Sequence, residues 1–155
     1  MKTTNQILIV LAVMSLMSCK NQMHVVTLYV NTAKIEQSTI DQYANFGQPK
    51  GIANKDFTTY VRKGDMVIWN AVSISDPSDE VNITAIIDEP GADYLNKKYI
   101  NFFDRTILNA DKTRKGIVIG TIINGKSGDV QKYGLKFTVK DKEGTFSIDP
   151  KMEMY

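Results

Sequence analysis

A chain of 155 residues, 43% of them hydrophobic, can bury one core and is too short for two sizeable domains. Its 19 Lys and Arg against 17 Asp and Glu leave a formal net charge of +2, and the basic residues are spread along the chain, which argues against a dedicated nucleic-acid surface. A single Cys and a single His cannot build a Cys/His zinc site or an intrachain disulfide, so no cofactor is expected.

The N-terminus reads MKTTNQILIVLAVMSLMSC. Lys2 supplies a positive start, and residues 7–17 form an apolar run broken only by Ser15. That run suits the hydrophobic stretch of a signal peptide and falls short of the roughly 20 residues a membrane-spanning helix needs. Leu16, Met17 and Ser18 then lead into Cys19. This stretch resembles the lipobox of bacterial lipoproteins, with Leu16 at −3, Ser18 at −1 and Cys19 at +1. The resemblance implies cleavage before Cys19, diacylglycerol on its sulfur and acylation of the new amine. Each buried methylene then contributes about 0.8 kcal/mol, and more than one acyl chain gives stable anchoring. The implied division is a lipoprotein signal peptide over 1–18, a lipidated polar tether over 19–22 and one folded domain over 23–155. Lys20 at +2 resembles the start of export signals of Bacteroidetes-type lipoproteins, although no acidic residues follow. The implied location is the cell envelope, at the periplasmic or surface face of the outer membrane.

Beyond the tether, period-two alternation dominates. Residues 24–30, HVVTLYV, place His24, Val26, Leu28 and Val30 on one face. FTTYVR (57–62) is a second strand, and the turn RKGD (62–65) leads into MVIWNAVSI (66–74), apolar on both faces as a central strand is. Residues 38–47 carry Ser38 and Asp41 at capping-box spacing and Gly47 as a stop, predicting one or two helical turns. VNITAII (81–87) puts Val81, Ile83, Ala85 and Ile87 on one side. GIVIGTII (116–123), QKYGLKFTVK (131–140) and TFSI (145–148) predict a three-stranded antiparallel meander with a solvated lysine face and a turn at Asn124-Gly125. The fold expected is all-β: a single antiparallel β-sandwich of seven to eight strands.

The segment VRKGDMVIWN (61–70) resembles the Gly-Asp-x-Val-x-Trp strand of cupredoxin-like sandwiches, with Trp69 in the core. A type-1 copper site is excluded, because it needs two His and a Cys. The wider stretch from residue 46 to the closing GTFSIDPKMEM is similar to small secreted proteins of flavobacteria and to the bacterial inclusion-body protein family. That similarity implies a cupredoxin- or immunoglobulin-like sandwich and brings no catalytic residues with it.

GTIINGKS (120–127) satisfies the phosphate-loop pattern, but that chemistry needs a helix after the loop, and here a strand follows. No nucleotide is expected. Asp76, Asp79 and Glu80 in the loop SDPSDE (75–80) are a weak calcium candidate, since oxygen ligands on a loop are the right kind. Tyr94, Tyr99, Phe102 and Phe103 could form an aromatic contact surface for a glycan or protein, or could instead cap one end of the sandwich. The expectation is a non-enzymatic lipoprotein of binding or structural role, held to the membrane through acylated Cys19. The alternatives are a glycan- or ligand-binding accessory module and a hydrolase using two carboxylates.

Overall fold

The structure, a computed structural model, describes residues 20–89 and 100–155. Cys19, Tyr94 and Tyr99 lie outside the described residues. No helix among those described is long and apolar enough to cross a membrane.

Strand β1 (Met23–Val30) follows the alternation in the sequence: Val26, Leu28 and Val30 are buried, and Met23, Val25 and Tyr29 face outward. It lies parallel to β4 (Met66–Ser73), with Val26 beside Trp69 and Val25 beside Ile68. On the far side of β4 runs antiparallel β7 (Val118–Thr121), and the short β2 (Ala44–Asn45) closes the other edge of β1. The order of this four-stranded sheet is β2-β1-β4-β7.

The second sheet is built on β8 (Val130–Val139). Antiparallel β5 (Val81–Asp88) takes one edge of it, with β6 (Ile107–Asn109) beyond. Two strands take the other edge in succession: β9 (Phe146–Ile148) pairs with the C-terminal half of β8 and β10 (Lys151–Met154) with its start. Parallel to β10 lies β3 (Thr58–Val61).

The molecule is therefore all-β with two mixed sheets. The expected all-antiparallel pairing is corrected at β1–β4 and β3–β10, which are parallel. Alternation reports which face of a strand is buried and is the same for either direction of pairing. Among the described residues ten strands replace the expected seven or eight; the additions β2, β6 and β10 are two to four residues long.

The three-stranded meander is also corrected. The β8–β9 hairpin forms, but β7 pairs with β4 in the other sheet. Close packing on the 102–108 segment fixes it there: a Cβ at Gly120 would come within 2.6 Å of the Phe103 ring. The Asn124-Gly125 turn accordingly joins two sheets, and the Ile123 and Asn124 N–H groups both donate to the Phe102 carbonyl, at 2.9 and 3.2 Å.

On β5 a bulge between Ile83 and Ala85 shifts the register against β8. Val81 and Ile83 face the core, but past the bulge Ile86 takes the buried position that strict alternation assigned to Ile87. The helical turns expected over 38–47 form as a 3-10 turn (Gln37–Thr39) and α1 (Ile40–Tyr43). The Glu36 N–H donates to Thr39 Oγ1 at 3.0 Å, so the capping box forms between Glu36 and Thr39 in place of Ser38 and Asp41.

Both sheets contribute to one core cluster that includes Trp69, Tyr133, Phe102, Phe137 and Phe146. Each fully buried side chain of this size contributes about 1.5–3 kcal/mol, which makes this cluster the main source of stability.

Candidate functional site

Where the chain enters the fold, a carboxylate gathers it. Residues 62–65 make a tight turn: the Asp65 N–H donates to the Arg62 carbonyl at 3.0 Å, and Gly64 has φ +96°, a left-handed conformation that suits glycine. The turn aims the Asp65 side chain into the start of β1, where it is 1% exposed. Its Oδ1 accepts the Gln22 N–H at 2.8 Å. Its Oδ2 accepts the Arg62 N–H at 2.8 Å and lies 2.8 Å from His24 Nε2. Burial alone would raise the Asp65 pKa, but the Gln22, His24 and Arg62 hydrogen bonds and the His24 charge outweigh it and hold the carboxyl below its ordinary value.

The Gln22 carbonyl in turn accepts the Met66 N–H at 2.9 Å. The Asn21 side chain covers Gly64, where an added Cβ would sit 2.5 Å from Asn21 Oδ1. Arg62 lies over the Tyr155 ring at 4.3 Å. Gln22 is thus secured three residues after Cys19. In the sequence Asp65 reads only as a turn residue; the signal for more is the lone His on β1 and an Asp directly before the neighbouring strand.

The His24–Asp65 pair has the look of half a catalytic triad. Three donors converge on the carboxylate, two of them backbone N–H groups, and together they hold the chain entry in place.

Of the four aromatic candidates, Phe102 and Phe103 are corrected, while Tyr94 and Tyr99 lie outside the described residues. Phe102 and Phe103 are 0% and 4% exposed, with Phe103 edge-on to Trp69 at 5.9 Å between centroids. They fill the core between the sheets and offer no face to a ligand.

The calcium candidates point to three different partners. Asp76 accepts the Ser78 N–H and hydroxyl at 2.8 and 2.7 Å. Asp79 accepts the Thr32 hydroxyl at 2.5 Å, and Glu80 pairs with Lys115 at 2.8 Å. Among the described residues no group of three or more His, Cys, Asp or Glu side chains converges as a metal site.

Thr32 is the centre of a closed network. Its Oγ1 lies 2.8 Å from Ser73 Oγ and 2.7 Å from Ser75 Oγ. A hydroxyl has one proton, and Thr32 gives it to Asp79, so both serines donate to Thr32. Ser75 Oγ also accepts the Ala33 N–H at 3.1 Å and Ser73 Oγ the Asp76 N–H at 3.2 Å. The serines fasten the 73–80 loop.

One carboxylate group stands out electrostatically. Burial, with repulsion from Asp149 and Asp88, raises the Glu89 pKa against the opposing pull of Lys132. Its neighbours are engaged elsewhere: Asp88 accepts from Gln131 at 2.8 Å, and Asp149 pairs with Lys132. A depression of about 310 Å³ lies between Leu108, Ile119 and Phe103. Asp104, its acid among the described residues, is chelated by Arg105 at 2.8 Å through both oxygens.

In the phosphate-loop-like segment, Gly120 and Thr121 end β7, and the chain passes through Lys126 and Ser127 directly into β8. The Lys126 N–H is already taken by Asp129 Oδ2 at 2.9 Å. No protein-family model matches this chain, and no curated protein sequence matches it.

Proposed function

We propose that this chain is a bacterial lipoprotein, anchored in the cell envelope at the outer membrane through acylated Cys19, with a folded body of non-catalytic binding or structural role. The supporting observation is the closeness of the fold to the lipobox cysteine: Gln22 is bound to Asp65 and Met66, and Lys20, Asn21 and Gln22 are exposed. A lipidated residue 19 would therefore leave the body at its surface with room to reach a bilayer.

In the same reading the two sheets are the two leaves of one β-sandwich of the cupredoxin- or immunoglobulin-like kind. The hydrogen bond from Trp69 on β4 to Tyr133 on β8, and the single core shared by both sheets, support it.

Mass spectrometry of the protein isolated from membranes tests the anchor. The expected product starts at Cys19 and carries diacylglycerol and an N-acyl chain. Cys19→Ala should abolish palmitate labelling. A freely diffusing native protein with residue 19 unmodified would overturn the proposal.

A further inference from the structure

Among the described residues, strands β1, β4 and β7 place no charged side chain on the outward face of the four-stranded sheet. On β1 the outward residues are Met23, Val25, Thr27 and Tyr29; each sits beside its β4 partner, Met66, Ile68, Asn70 or Val72. Ile119 and Thr121 of β7 extend the same face beside Ile68 and Met66. Met23 and Val25 are 65% and 58% exposed. A solvated sheet face normally alternates apolar-in with polar or charged-out, and this one is mostly apolar.

The start of this face coincides with the chain entry. Met23 directly follows Gln22, which Asp65 holds, and only two residues separate Gln22 from Cys19. Met23 lies four residue steps from Cys19, and four steps of extended chain span about 14 Å at most. An acyl group on Cys19 would keep Met23 within about that distance of the lipid surface, with Met66 beside it on the next strand. Lys20 and Lys63 are exposed at this same end and would face phosphate headgroups.

The size of the face also selects its occupant. Two eight-residue strands and one of four residues, about 3.3 Å per residue and 4.8 Å apart, cover roughly 300 Å², well under the ~800 Å² per side of a stable protein–protein interface. A bilayer sets no such minimum once an anchor supplies the affinity.

We propose that the outward face of the β2-β1-β4-β7 sheet lies on the lipid surface beside the anchor, with Met23, Val25 and Met66 at the headgroup boundary and Lys20 and Lys63 against phosphate. This rests on Cys19 being acylated. It adds a fixed orientation: the body lies on one sheet face, and the second sheet is turned away from the membrane.

The test uses the acylated full-length protein in phosphatidylcholine–phosphatidylglycerol vesicles that contain nitroxide-labelled lipid. Acylation consumes the native thiol, so Val25→Cys, Val72→Cys and Lys136→Cys each offer one site for an environment-sensitive fluorophore. Lys136 is exposed on β8 in the other sheet. The expected result is loss of fluorescence and a blue shift at positions 25 and 72, with the signal at 136 retained. Equal quenching at 25 and 136, or none at 25, in a sample whose Cys19 acylation is verified by mass would overturn the orientation and leave the lipoprotein reading intact. An unacylated Cys19 would remove the basis of both. Cross-linking of Val25→Cys to a second copy, with dimer mass by light scattering, would assign the face to self-association and overturn the lipid contact.

Discussion

Trp69 donates its indole N–H to the Tyr133 hydroxyl at 3.1 Å, and the two rings meet edge-on with centroids 5.7 Å apart. Both side chains are fully buried, and they stand on different sheets, Trp69 on β4 and Tyr133 on β8. Tyr133→Phe keeps the ring and removes the acceptor. A buried N–H without a partner costs about 1–3 kcal/mol, so urea unfolding should shift toward lower denaturant by that amount. The chain has one Trp, so its fluorescence reports the transition directly. An unchanged midpoint would show that the bond contributes nothing to stability.

The same phenol predicts the alkaline limb of stability. Burial pushes the Tyr133 pKa well above its ordinary value of 10.0, and the Trp69 hydrogen bond opposes this only in part. The neutral phenol is thus favoured in the folded state. Its contribution is fully present below the unfolded pKa and is lost as pH rises from there through the raised folded value. Denaturation midpoints measured with increasing alkalinity should fall in the native protein and fall less in Tyr133→Phe. Parallel curves for the two proteins would refute the assignment.

At the acid end of the pH scale Asp65 contributes in the opposite sense. Its pKa is lowered from 3.8, so its contribution is present above the unfolded pKa and is lost as pH falls through the folded value. Asp65→Asn replaces one acceptor oxygen by an NH₂ donor, which cannot serve both the Gln22 and Arg62 N–H groups. The expected loss at neutral pH is about 1–3 kcal/mol, and the acid-dependent part of the curve should flatten. Hydrogen exchange should be faster at the Gln22 and Arg62 amides. Retained protection at both would contradict the latch.

Most strands were legible because one-sided burial writes itself as alternation. The buried face of β1, with Val26, Leu28 and Val30, and the solvated lysine face of β8, with Lys136, follow from spacing alone. What alternation omits is the partner. Parallel β1–β4 pairing brings together strands 36 or more residues apart, and only packing across the core decides it. β10, Lys-Met-Glu-Met, has no β-branched residue to mark it, yet Met152 and Met154 are buried between β3 and β8. The site was less legible than the fold. Asp65 resembled any turn aspartate, and its acceptor role depends on Gln22 and His24, which are distant in sequence. Phe102 and Phe103 resembled a surface patch because exposure is a property of the fold and leaves no local mark on an aromatic pair.

The 73–80 loop gives the final prediction. Thr32 Oγ1 binds Ser73, Ser75 and Asp79 at once, and the threonine is buried. Thr32→Val preserves shape and leaves the Asp79 carboxylate without its donor, so the expected loss is about 1–3 kcal/mol. Because Asp76, Asp79 and Glu80 are each engaged by a different partner, calcium should not substitute for the lost hydroxyl. A bound ion at a hundredfold excess over its Kd would add about 2.7 kcal/mol, enough to raise the Tm by several degrees. Thermal melts with calcium and with chelator should therefore coincide, in the native protein and in Thr32→Val alike. A calcium-dependent rise in Tm would mean that the three carboxylates can converge on a cation, and would restore this loop as a metal site.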